Sequence, residues 1–124
     1  MRIFKNRVFS KWAVREGLSD QALCRAVDEI SQGLIDADLG GYVLKKRIAL
    51  ADKGKRSGLR TLIAYRVGNK AFFVYGFAKN VRANVSGHEL KTLKRYAKEL
   101  LSYSDKELLK AVKHGALVEV EHDG

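Results

Sequence analysis

Proline is absent from this sequence of 124 residues, and cysteine, methionine and tryptophan each occur once. No proline-rich or Ser/Gly-rich linker and no internal repeat interrupts the chain, so it reads as one domain over residues 1–124. A single thiol, Cys24, excludes an internal disulfide and cannot anchor a zinc site alone. Its simplest role is a small apolar position on a helix, in a reducing, cytoplasmic compartment. Long hydrophobic runs are missing too. The most apolar stretch, Ala71 to Ala78, is far too short to cross a bilayer, and Met1-Arg2-Ile3-Phe4-Lys5 lacks the features of a secretory signal. No membrane partner is expected. Hydrophobic residues still make up 46% of the chain, enough apolar surface to offset chain entropy and exclude disorder as the default.

Acidic residues are nearly missing from the middle of the chain. Residues 1–40 hold six basic and six acidic side chains, and residues 83–124 hold seven of each. Residues 41–82 hold eleven basic side chains against one acid, Asp52, so the net charge of +10 sits in that third. Such a segment implies a polyanionic partner: nucleic acid first, then an anionic membrane surface or an acidic protein. With one carboxylate available there, a carboxylate-bound divalent metal is not expected. No H-E-x-x-H, C-x-x-C, Walker, G-x-G-x-x-G or G-x-S-x-G motif occurs, and no cofactor is expected.

The apolar pattern predicts an α+β fold. Met1 to Lys5 reads as a strand, and Arg7 to Glu16 as a helix stopped by Gly17. Ser19 caps a second helix whose apolar stripe is Ala22, Leu23, Ala26, Val27, Ile30 and Leu34. After the Gly40-Gly41 loop come three strand-like runs: Tyr42 to Leu50, Leu59 to Val67 and Lys70 to Phe77. Gly68-Asn69 between the last two is the signal of a two-residue, Gly-first hairpin. Two capping boxes, Ser86 with Glu89 and Ser104 with Glu107, open two further helices, and Ala116 to Glu121 adds an edge strand. Hairpin-joined strands imply an antiparallel sheet with the helices packed on one side.

The densest cationic constellation is Lys53, Lys55, Arg56 and Arg60, on and just after the basic loop Ala51 to Gly58. Lys45, Lys46 and Arg47 lie on the preceding strand, and Lys79 and Arg82 follow the hairpin. Arginine offers a planar fork to phosphate oxygens, and lysine a point charge with a tunable pKa. A lysine among other cations loses its proton more easily and can serve as a general base. For any one of these lysines a solvated surface position is the plainer reading; for eleven cations together, polyanion binding is favoured. Tyr65, Phe72, Phe73, Tyr75 and Phe77 interleave with the patch. Exposed rings stack on bases, but core packing is the commoner fate of any one ring. Strand alternation sends Phe73, Tyr75 and Phe77 to one face and Phe72 and Val74 to the other. Tyr75 and His88, the latter in a helix's first turn, are candidate acid–base groups. His114 and His122 lack ligand spacing and read as surface residues.

Two segments, G-K-R-S-G-L-R-T-L-I-A-Y-R (Gly54 to Arg66) and F-F-V-Y-G-F-A-K-N (Phe72 to Asn80), in this order in so short a chain, resemble RelE-type toxins of type II toxin–antitoxin modules (the RelE/ParE superfamily). The resemblance covers most of the chain. It implies a small twisted antiparallel sheet flanked by helices. It also implies a cytoplasmic, ribosome-dependent endoribonuclease that cuts mRNA in the decoding site without metal, and a tightly bound cognate antitoxin. The implied chemistry is attack of a ribose 2′-hydroxyl on the adjacent phosphate, which needs a base, a phosphate clamp and an acid. Arg60 falls on the family's phosphate-clamping arginine, Lys53 and Lys55 on its loop lysines, and Lys79 on the lysine after the fourth strand. Lys45, Lys46 or Arg47 are alternatives to the loop lysines. The expected catalytic set is Lys53, Lys55, Arg60, Lys79 and His88, with Lys45, Lys46, Arg47, Arg56, Arg82 and Tyr75 contacting RNA. Where founding members carry a second arginine this chain has Asn80, with Arg82 two residues on. Where they carry a catalytic tyrosine it has Ser86, and His88 and Tyr75 are the candidate replacements. These departures keep two other readings open: a gyrase-poisoning toxin of the same fold, and a non-catalytic nucleic-acid-binding module.

Overall fold

Local capping chemistry sets where the helices begin. A computed structural model describes residues 1–50, 58–79 and 81–121, so Lys53, Lys55, Arg56, Asn80 and His122 lie outside the described residues. Within them the order is β1 (Arg2–Asn6), α1 (Arg7–Glu16), α2 (Asp20–Ser31), β2 (Ala37–Asp38), β3 (Val43–Ile48), β4 (Leu59–Tyr65), β5 (Lys70–Ala78), α3 (Gly87–Leu101), α4 (Asp105–Lys113) and β6 (Leu117–Glu119). Asn6, Ser19, Ser86 and Ser104 each accept a hydrogen bond from an amide of the first turn, and the last two form complete capping boxes. Gly17 ends α1 in the left-handed region at φ 73°, where a side chain is disfavoured. No helix among the described residues is long and apolar enough to cross a membrane.

Several expectations change. The second helix ends at Ser31, which leaves Leu34 outside its stripe and 54% exposed. The short strand β2 carries no sequence signal. The β4–β5 connection is the four-residue turn Arg66 to Asn69, closed by the Asn69 amide on the Arg66 carbonyl, with Gly68 third at φ 73°. Gly68 is therefore not the first residue of a two-residue hairpin.

The strands form one sheet in the order β2-β3-β4-β5-β1-β6. It is mostly antiparallel, but β1 runs parallel to β5. Two helices separate β1 from the next strand, so no hairpin forces it to run antiparallel. The helices also cover both faces rather than one. Leu23, Val27 and Ile30 of α2 pack with Phe9, Ile63 and Phe73 on one side. Ala97, Leu100 and Leu108 of α3 and α4 pack with Phe4, Leu62 and Phe72 on the other. A sheet with apolar residues on both faces must be covered on both. Two ion pairs tie α2 or its N-terminus to strands: Lys5 Nζ to Asp20 at 2.7 Å and Lys46 Nζ to Glu29 at 2.8 Å.

Strand β5 carries an irregularity that reassigns its side chains. Leu62 pairs with Tyr75 but Ile63 pairs with Phe73, so Val74 is an extra residue in the ladder. Val74 and Tyr75 consequently both pack on the α3 side, and every later residue is inverted. Phe73 faces α1 and α2, whereas Tyr75 and Phe77 do not follow it there, contrary to simple alternation. The Asn6 side chain holds the bulge by donating to the Val74 carbonyl at 3.0 Å while it caps α1. Gly76 then faces α1, where a Cβ would run into the Trp12 indole. Gly76→Ala is expected to cost about 1–3 kcal/mol by displacing that ring, read as a lowered midpoint in urea unfolding with an unchanged m-value.

Candidate active site

Cross-strand register sorts the central cations by face. Arg47, Arg60 and Phe77 stand opposite one another across β3, β4 and β5, and Lys45, Leu62 and Tyr75 form the next row. Directly opposed residues share a face. Leu62 packs under α3, so Lys45, Arg47, Arg60, Tyr75 and Phe77 all belong to the α3 side. Lys46 points the other way. Its ammonium pairs with Glu29 and donates to the Leu34 carbonyl at 2.8 Å. The structure does not bring Lys46 to Arg60.

The two arginines of the first row converge over Gly58. Arg60 Nη1 donates to the Gly58 carbonyl at 2.9 Å. A Cβ on Gly58 would lie 2.6 Å from Arg47 Nε and 3.2 Å from Arg60 Nη1, so the missing side chain is what lets both forks reach one spot. Like charges directly opposite each other are unfavourable in a sheet. A phosphate group between them would turn that repulsion into charge-assisted, bidentate hydrogen bonding.

Arg82 occupies the turn after β5, where its amide and that of Val81 both donate to the Ala78 carbonyl. Its guanidinium is almost fully spent within the protein. Nη1 donates to Tyr75 Oη at 3.0 Å and to Glu89 Oε2 at 3.0 Å, Nη2 to Glu89 Oε1 at 2.6 Å, and Nε to the Asn84 carbonyl at 2.9 Å. Glu89 is also the capping-box residue of α3 and accepts from the Ser86 amide at 2.8 Å. One carboxylate therefore starts the helix and fixes the arginine. The Tyr75 and Phe77 rings lie 6.1 Å apart, and Arg82 sits 6.0 Å from the Phe77 ring centre.

Ionisation follows these contacts. Hydrogen bonding to Glu89 first, and to Tyr75 next, holds the Arg82 guanidinium further above its ordinary value. Arg82 and then Ser86 pull the Glu89 carboxyl down to about 2. Cys24 is partly buried against the α1–α2 core, and burial pushes its thiol up, which weakens it as a nucleophile.

The remaining candidates stand apart from this network. Lys79 is exposed in the turn beyond the last ladder pair of β5. His88 is exposed in the first turn of α3, about 100° around the helix from Glu89. Among the described residues, no imidazole hydrogen bond ties it to Tyr75 or Arg82. Tyr65, Phe72, Phe73 and Phe77 are all buried, which leaves Tyr75 as the half-exposed ring of the five. Sequence reasoning missed the second task of Glu89, which reads locally as a cap, and the role of Gly58. The splitting of Lys45-Lys46-Arg47 was within reach of strand alternation.

The Glu89 shift sets a pH window. Its folded pKa lies below the ordinary carboxylate value, so the stabilisation is complete above about 4.5 and is lost as pH falls toward about 2. In thermal unfolding followed by circular dichroism, the difference between wild type and Glu89→Gln should be constant near neutrality and shrink across that window.

A model described as the RelE toxin of the RelE/RelB toxin–antitoxin system matches residues 1–120. A comparison with curated proteins returns no match. The family match spans the whole sheet, both helix pairs and the Arg47–Arg60 row, and on that basis the chain belongs to the RelE toxin family.

Proposed function

We propose that this chain is a ribosome-dependent endoribonuclease that cuts mRNA in the decoding site, acts in the cytoplasm and is silenced by a RelB-type antitoxin. The observation that carries the reading is the convergence of Arg47 and Arg60 over Gly58 on paired strands of the sheet. Attack of a 2′-hydroxyl on its neighbouring phosphate raises the negative charge on the phosphoryl oxygens. Guanidinium forks on paired strands meet that charge, which stabilises the transition state more than the ground state. Lys53 or Lys55, on the segment between β3 and β4, supplies the base, with Lys45, Arg56 and Lys79 guiding the RNA backbone. Guanidinium groups do the work a metal would otherwise do, and the carboxylate of Glu89 is committed to Arg82.

Ribosome dependence is supported by what the face offers a single strand. Its rings are buried apart from Tyr75, so it provides charge without a stacking platform. Another body must present the message in register. An antitoxin that covers this cationic face removes both the clamp and the electrostatic attraction.

The test is induction in bacteria with mRNA 5′ ends mapped by primer extension, beside Arg60→Ala. Wild type should create new ends within translated frames. Arg60 is partly exposed and bonds only locally, so the variant should stay within about 0.5 kcal/mol of wild-type stability and create none. Growth arrest with intact mRNA and inhibited supercoiling would replace this reading with gyrase poisoning. Normal growth with salt-sensitive binding would replace it with a binding module.

A further inference from the structure

We infer that Tyr75 donates the proton to the leaving 5′-oxygen, and that Glu89 positions it by locking Arg82. The inference rests on the nuclease reading above and names the acid that Ser86 does not supply. A guanidinium has donors and no acceptor. In the 3.0 Å contact Arg82 must therefore donate and the Tyr75 oxygen must accept. The phenol keeps its own proton to give, and among the described residues it gives that proton to no protein acceptor. The ring is fixed from two sides, by packing on the α3-side core and by Phe77 at 6.1 Å.

Position supports the assignment. Tyr75 stands one same-face step along β5 from Phe77, whose row holds Arg47 and Arg60. That places the phenol row about 7 Å from the arginine row, within reach of a bridging oxygen when the arginines hold the non-bridging ones. Arg82 is an unsuitable clamp for the same phosphate, because Glu89 already holds both of its terminal nitrogens at 2.6 and 3.0 Å. Glu89 is in turn anchored on the Ser86 amide. A guanidinium free of Glu89 would swing to the nearest phosphate; held by it, Arg82 serves the phenol.

The step balances. The 2′-oxygen bonds to phosphorus as its proton passes to the general base. The bond between phosphorus and O5′ breaks, its electron pair stays on O5′, and O5′ takes the Tyr75 proton. The products are a 2′,3′-cyclic phosphate and a 5′-hydroxyl. The phenolate forms against the Arg82 guanidinium, which stabilises it, and recovers its proton from solvent.

The test uses programmed ribosomes carrying an mRNA with either the natural linkage or a 5′-bridging sulfur at the cleaved position. A thiolate leaves without needing a proton. Tyr75→Phe should cleave the natural message about 10²–10⁴-fold more slowly in single turnover at saturating ribosome, and recover most of the loss on the sulfur-bridged message. Glu89→Gln, which retains a capping-box side chain, should show a smaller loss, on the order of tenfold, recovered in the same way. A Tyr75→Phe protein that cuts the natural message at the wild-type rate overturns the inference, and so does a loss that persists on the sulfur-bridged message. In both of those cases wild-type cleavage leaves the nuclease reading intact. A wild-type protein that cuts neither message overturns both.

Discussion

A pleated strand alternates its side chains between two faces, and one inserted residue inverts everything after it. Val74 is that residue here. Before it, Phe73 belongs to the α1–α2 core; after it, Tyr75 and Phe77 stand with Arg47 and Arg60. In an unbroken ladder Tyr75 would follow Phe73 toward Trp12, and Gly76 would look onto the cationic row. The bulge leaves a carbonyl to be satisfied, and Asn6 satisfies it while capping α1. A residue at the start of the chain thus holds the register on which the centre of the site depends.

The second dependency is the shared use of a few polar groups. Glu89 closes the capping box of α3, and α3 supplies Ala97, Leu100 and Leu101 to the core beneath the site. The same carboxylate neutralises Arg82. Gly58 matters in a comparable way: it stands immediately before β4, and its bare backbone is where two cations meet. Helix formation, core covering and charge placement are therefore not separable at this end of the sheet. The surface contrast with Lys46 is instructive, because that cation is next in sequence to Lys45 and Arg47 and yet is consumed in holding α2.

Features governed by chemistry within four residues were legible in the sequence. Ser19, Ser86 and Ser104 cap the helices they precede, Gly17 stops α1, and the strand-like runs become β3, β4 and β5. The charge imbalance pointed to the third of the chain that holds the Arg47–Arg60 row. Features set by distant partners were not legible. The parallel pairing of β1 with β5 joins residues nearly seventy positions apart. Coverage of both faces depends on where α3 and α4 return, and nothing in F-F-V-Y-G-F marks which residue is the extra one. The contact between Arg82 and Glu89 spans seven residues and a turn, so no periodicity announces it.

Trp12 is the chain's one tryptophan, and its indole fills the hollow left by Gly76. That hollow is the back of β5 between Tyr75 and Phe77, on the opposite face of the same strand. The indole is thereby a built-in optical probe, one strand's thickness behind the proposed reaction centre. A shift of the Tyr75–Phe77 segment changes the surroundings of this indole, so its emission reports movement of that strand without any label being attached.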